Sequence, residues 1–209
     1  FYEYAQDFGI TERTGVDLPG EASGYFFDYE TLTKGYASVI SGAFGQTFRV
    51  TPIQQARAIA AVVNGGYVLE TYIVSQVLDA DGNVVKENGR TVLRQAISES
   101  TSITMRDMME KVVTEGTAKG AHTPGYRVGG KTGTSEKTDT YDENGNMVED
   151  KIVSFVGVAP IDDPQYLVLV ALDTPKYQAG NTKYTPNGYY ISGGLMAAPT
   201  VRDIFLDIL

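Results

Sequence analysis

The sequence predicts helices combined with an antiparallel meander, folded as one unit. Three observations carry this expectation. A complete helix-start signal stands at Thr51-Pro-Ile-Gln54, with a capping threonine, a proline in the first turn and a glutamine three residues on. Two apolar, β-branched runs at 152–158 and 166–172 are joined by Ala-Pro-Ile-Asp-Asp-Pro-Gln, a turn with two prolines. No linker, internal repeat or low-complexity tract divides the chain.

Taken in order, residues 1–50 are rich in glycine and aromatics, with turn clusters at Leu18-Pro-Gly-Glu21 and Ser41-Gly-Ala-Phe-Gly45, and read as loops and short pieces. The helix at 52–63 is expected to bury Ile53, Ala56, Ile59, Ala60 and Val63, and Asn64-Gly65-Gly66 stops it. A hairpin follows, in which residues 72–78 and Val84-Val85 flank Asp79-Ala-Asp-Gly-Asn83. That carboxylate-rich turn is too short for a calcium loop and lacks a distal acid. Residues 102–115 return to helical spacing, with Met105, Met108, Met109, Val112 and Val113 as a core stripe. A polar run from Ser135 to Lys151, including Asp139, Asp142, Glu143, Glu149 and Asp150, reads as a solvated loop. The chain closes on a helix over 193–209, with Leu195, Val201, Ile204, Phe205 and Ile208 apolar.

Composition removes several functions. The 209 residues are 42% hydrophobic and 21% charged, an ordinary globular balance. A formal net charge of −9 repels phosphate and argues against a nucleic-acid partner. With no cysteine, thiol nucleophiles, disulfides and Cys-ligated zinc are excluded. One histidine, His122, cannot build a multi-histidine metal site, and its glycine-rich setting reads as an exposed loop. No cofactor and no metal are expected. The longest apolar run falls far short of the ~20 residues that span a membrane. The chain opens on Phe-Tyr-Glu-Tyr, and is read as a segment of something longer.

The stretch GYRVGGKTGTSEKT, residues 125–138, carries two incompatible patterns. Gly125-x-x-x-x-Gly130-Lys131-Thr132 matches a nucleotide-binding P-loop, which needs a buried strand before it and a helix directly after. Neither is legible here. Lys131-Thr-Gly-Thr134 matches a tetrad of serine acyl-transfer enzymes, which belongs on the edge strand of an antiparallel sheet. Residues 126–128 lead into such a strand, and an extended peptide can dock on its open edge. Glycine at 133 removes a side chain where a substrate approaches. The tetrad alone equally allows an exposed Lys-Thr-Gly turn.

The wider pattern resembles class B penicillin-binding proteins over essentially the whole chain. It shows in Phe8-Gly-Ile and Thr14-Gly-Val-Asp-Leu-Pro-Gly-Glu21, in Phe44-Gly-Gln and Val50-Thr-Pro-Ile-Gln-Gln-Ala, and in Val63-Asn-Gly-Gly66. Val113-Thr-Glu-Gly-Thr117, Gly129-Gly-Lys-Thr-Gly-Thr134, Ser154-Phe-Val-Gly157 and Gly193-Gly-Leu-Met-Ala-Ala-Pro199 continue it in order. The resemblance implies an α+β fold, an antiparallel sheet flanked by helices, of which residues 1–209 are the C-terminal part of a single, N-terminally truncated transpeptidase domain.

It further implies a serine-type peptidoglycan D,D-transpeptidase, working through an acyl-serine intermediate and acylated by β-lactam antibiotics. Its substrate is a stem peptide ending in D-Ala-D-Ala. The parent protein is then membrane-anchored, faces outward, and works with partners of the cell-wall machinery. Lys131 supplies electrostatic anchoring, Thr132 and Thr134 bind the terminal carboxylate, Gly133 is structural, and the Thr134 N–H is half of the oxyanion hole. The family's Ser-x-x-Lys and Ser-x-Asn motifs are not in this sequence, so this chain alone is expected to be inactive. A non-catalytic binding module of the same machinery is the alternative, and a P-loop nucleotide binder the distant one. Arg127 either faces the cleft or, the preferred reading, caps the strand end. Residues 177–190, with Asn181 and Asn187, either line the cleft or cover the sheet.

Overall fold

The computed structural model describes residues 1–137, 140–147, 150–176 and 191–209. Asp139, Glu149 and the tyrosine-rich stretch with Asn181 and Asn187 lie outside these. The chain packs as two compact units, Phe1–Ile103 and Thr104–Leu209. The sequence had suggested one folding unit because no linker is visible. Indeed none occurs, since the boundary falls within a helix, Glu99–Thr114.

The first unit holds short helices α1 (Tyr2–Asp7), α2 (Tyr29–Thr33) and α3 (Tyr36–Ala43), the longer α4 (Pro52–Val63), and strands β1 (Tyr67–Leu69), β2 (Gln76–Leu78), β3 (Val84–Glu87) and β4 (Val92–Gln95). The capping box forms as its residues require: the Gln54 N–H donates to Thr51 Oγ1 at 3.2 Å, and the Thr51 N–H to Gln54 Oε1 at 2.8 Å. The expected buried face of α4 is corrected, however. Gln54, Arg57, Ala58 and Ala61 form the inner stripe together with Val63, whereas Ile53, Ala56, Ile59 and Ala60 are only partly covered.

Two polar residues displace apolar ones because the preceding loop offers them acceptors. Gln54 Nε2 donates to the Glu12 carbonyl at 2.6 Å, and Arg57 donates to the carbonyls of Gly9 at 2.9 Å and Thr14 at 3.3 Å. A buried loop must satisfy its carbonyls somewhere, and these side chains do so. Glu21 closes the same loop by accepting from the N–H and hydroxyl of Thr14, both at 2.7 Å.

Strand β2 pairs with β3 across the predicted turn, where the Asp79 carboxylate accepts from the N–H groups of Asp81 and Asn83. That carboxylate holds its own backbone. The strand starts at Gln76, however, because Ile73 and Val74 direct their N–H groups to the Asp17 carboxylate instead of a neighbouring strand. A second pairing, β1 with β4, was not legible, as both strands are too short to show a period.

The second unit contains most of α5 (Glu99–Thr114), a 3₁₀ turn at Lys119–Ala121, a three-stranded antiparallel sheet ordered β5 (Gly129–Lys137), β6 (Asp150–Ala159), β7 (Tyr166–Asp173), and α6 (Gly193–Ile208). Its core joins Val113, Ala118, Ala121 and Val128 with Phe155 and Ala159 of β6 and Ala197, Ala198, Val201 and Phe205 of α6. Met109 is buried as expected, whereas Met108 is exposed and drops out of the stripe.

The strand carrying the tetrad begins at Gly129 rather than Tyr126, because residues 124–126 are taken up by a turn. The polar run is also corrected: Ser135–Lys137 stay in β5 and Asp150 already belongs to β6. Strand pairing here is carried by backbone hydrogen bonds, so polar side chains do not end it. At the hairpin tip Asp142 accepts from Asn144 and Asn146 N–H groups, repeating the Asp79 turn. The two-proline turn and closing helix stand where the sequence placed them, making the whole an α+β fold of antiparallel sheets flanked by helices. No described helix is long and apolar enough to cross a membrane.

Thr51→Ala removes one cap hydrogen bond and is expected to cost about 1 kcal/mol. Gln54→Leu strands the Thr51 N–H and the Glu12 carbonyl, and should cost about 2–3 kcal/mol. Denaturant unfolding of both variants checks the order, and equal losses would count against the polar stripe.

Candidate active site

Strand β5 runs beside β6 without a register shift, from Gly129↔Val158 to Lys137↔Asp150. No described strand pairs on its other side, so the tetrad lies on an edge strand. The pairing settles which backbone groups face outward. The Thr174 N–H donates to the Lys151 carbonyl, so odd-numbered residues of β6 bond toward β7 and even-numbered ones toward β5. Their partners Lys131 and Gly133 therefore bond to β6, and the N–H and C=O groups of Thr132 and Thr134 point to the open edge. Lys131 Nζ, on an exposed side chain, donates to the outward Thr132 carbonyl at 2.7 Å.

Side chains alternate across this strand. Thr132 and Thr134 share the face on which α6 begins. Its Gly194 packs so closely that a Cβ there would strike the Thr117 carbonyl and lie 3.5 Å from Thr132 Cγ2. Gly193 presses in the same way on the carbonyl of Ser154. The opposite face carries Lys131 and Gly133, where a Cβ on Gly133 would meet Ser154 Oγ at 2.5 Å. A side chain at 133 would thus force the Ser154 hydroxyl to move.

A P-loop would need Lys131-Thr132 at a helix start, whereas both sit within β5. Arg127 takes the structural option. Its guanidinium donates twice to Glu110, at 2.8 and 2.6 Å, and lies 3.5 Å from Asp162. The hydrogen bonds from Arg127 hold the Glu110 carboxyl below the ordinary glutamate range. His122 is exposed just after the 3₁₀ turn. One residue beside the tetrad appears in the sequence only as the end of the Val113–Thr117 segment, with no role assigned to it. Thr117 brings its hydroxyl to 3.3 Å from that of Thr132 although 15 residues separate them.

Comparisons with known proteins place the chain in a family. The family model described as the penicillin binding protein transpeptidase domain matches residues 1–192. The chain is 42% identical over 210 residues to stage V sporulation protein D of Bacillus subtilis, covering 100% of this chain and 30% of that protein. Against a peptidoglycan D,D-transpeptidase FtsI homolog from Mesostigma viride the identity is 31%, covering 100% and 35%. The chain thus spans about a third of the length of these relatives. The crystal structure of penicillin binding protein 3 from Mycobacterium tuberculosis complexed with aztreonam superposes with a TM-score of 0.81 at 26% identity, covering 99% of this chain and 45% of that one. The apo transpeptidase domain of Burkholderia pseudomallei penicillin-binding protein 3 gives 0.75 at 27%, covering 100% and 56%.

The Arg127–Glu110 pair yields a pH prediction. Because the folded-state value of Glu110 is depressed, the pair's contribution is present above the ordinary glutamate pKa of about 4.3 and is lost as pH falls through the depressed value. Arg127→Gln is expected to lower stability slightly near neutrality, since Arg127 is half exposed, and to change nothing at strongly acid pH. Unfolding curves of both proteins across that range measure the gap, and a gap independent of pH would refute the pairing.

Proposed function

This chain belongs to the penicillin-binding protein transpeptidase family, class B, and on that premise we propose that it forms the C-terminal part of a peptidoglycan D,D-transpeptidase domain. The observation that carries the reading is the outward backbone of Thr132 and Thr134 on the edge of β5, with both hydroxyls on one face. A stem peptide ending in D-Ala-D-Ala, or a β-lactam, lies along this edge as an added strand. Its terminal carboxylate accepts hydrogen bonds from the Thr132 and Thr134 hydroxyls, and the Lys131 ammonium anchors it electrostatically.

The nucleophilic serine of Ser-x-x-Lys and the serine of Ser-x-Asn are not in this sequence and come from the rest of the protein; this chain alone performs no acyl transfer. When the serine attacks the penultimate D-alanine carbonyl, the negative charge that develops on its oxygen accepts from the Thr134 N–H; collapse of this intermediate breaks the peptide bond and releases the terminal D-alanine, whose amine takes up the serine proton. A fixed donor of this kind is typically worth on the order of 10²–10³ in rate. Lys131 also keeps the neighbouring serine network in its reactive protonation state. Water or an acceptor amine then releases the acyl group. Such a protein acts on the outer face of the bacterial membrane, held there by an anchor outside this chain, together with cell-wall partners.

The test is covalent labelling of the complete domain, native upstream segment included, by a fluorescent penicillin. Label that survives denaturation and is competed by unlabelled penicillin is the expected result. Lys131→Ala should slow it on the order of 10²-fold. A folded, complete domain that takes no label would instead favour a non-catalytic binding module, and unchanged kinetics in the variant would remove Lys131 from the site.

A further inference from the structure

The structure offers more at this site than the tetrad. Thr117 stands on the exposed loop after α5, and its Oγ1 lies 3.3 Å from Thr132 Oγ1, with either atom able to donate. The approach is built in: Gly194 fits against both the Thr117 carbonyl and the Thr132 methyl group, so the first turn of α6 sets the loop and the strand side by side.

The proton count then decides the direction of the bond. A hydroxyl has one proton and two acceptor lone pairs, and a carboxylate is acceptor only. If Thr132 gives its proton to an anion, it cannot also donate to Thr117. The pair survives only with Thr117 as donor and Thr132 as acceptor. Such a chain polarises the outer hydroxyl and strengthens its bond to the anion. The Lys131 and Thr132 side chains project to opposite faces of β5, and Lys131 Nζ donates to the Thr132 carbonyl rather than to its hydroxyl.

We propose that Thr117 is a positioning residue for carboxylate recognition, donating to Thr132 Oγ1 and thereby aiming the Thr132 proton at the substrate's carboxylate. The inference rests on the transpeptidase reading and extends it to a residue outside the tetrad. It concerns ground-state binding of the carboxylate, so its effect falls on the initial complex more than on the acylation step.

The experiment follows acylation of the complete domain, native upstream segment included, by benzylpenicillin and by its methyl ester, in wild type, Thr117→Val, Thr117→Ala and Thr117→Ser. Losing one donor should lower the second-order acylation rate for the acid about fivefold in the Val and Ala variants, through weaker initial binding, while Ser stays within about twofold of wild type. The ester, which has no carboxylate, should react alike with all four proteins. The Ala variant adds no methyl group, so it carries the result if Val disturbs folding. Val and Ala variants that match wild type on the acid, or that lose equally on acid and ester, overturn the proposal while leaving the transpeptidase reading intact. Wild type that reacts with neither β-lactam overturns both.

Discussion

The unshifted antiparallel pairing of β5 with β6 is the constraint on which the site depends. A ladder with a two-residue period assigns every residue of β5 a face and a direction at once. With Lys131 opposite Val156 and Gly133 opposite Ser154, Thr132 and Thr134 necessarily share one face and turn their amide groups away from β6. A slip by one residue would exchange the threonines with the lysine and the glycine. It would also turn the Thr134 N–H inward, where it could meet no ligand. The register is held where β5 leaves no room for a side chain: Gly133 lies against the Ser154 hydroxyl, and a one-residue slip in either direction would bring a threonine there.

Close packing against glycine gives that ladder its support. Gly130 accommodates the Phe155 ring, Gly157 lies against Val201 and Phe205, and Gly193 and Gly194 let α6 begin on the backbone of β5, β6 and the Thr117 loop. At none of these positions is there room for a Cβ without displacing a neighbour, and in the case of Gly193 and Gly194 the obstacle is backbone. Close-packed interiors transmit such displacements rather than absorb them. The same contacts that build the core therefore place two hydroxyls, Thr117 and Thr132, within reach of each other.

The first unit reaches its stability by a different balance. Its longest helix buries a glutamine and an arginine, and burial pushes the Arg57 guanidinium below its ordinary value while Glu12 opposes the shift. The charge is tolerated because loop carbonyls accept from it and Glu12 lies 3.7 Å away, although the Arg57 Nε finds no partner among the described residues. Glu12 in turn accepts from Arg94 at 2.6 Å. Polar side chains here replace the β-ladder as the means of satisfying buried backbone.

What the sequence determined by itself was local. The capping box of α4, the Asp79–Asn83 turn, the pairing of β6 with β7 across a two-proline turn and the helical end of the chain all follow from residues close together, whose propensities and hydrogen bonds need no distant partner. The order of short motifs around Lys131-Thr-Gly-Thr also identified the family before any contact was seen. Tertiary structure decided the rest. Which face of α4 is buried depended on carbonyls more than 40 residues away, which made Gln54 and Arg57 better inner residues than Ile53 and Ile59. The length of β5 depended on a partner strand whose hydrogen bonds ignore side-chain polarity. Thr117 entered the site only because a glycine of α6 brought it to Thr132. Periodicity records a residue's own apolarity, not the acceptors and neighbours that a distant part of the chain delivers to it.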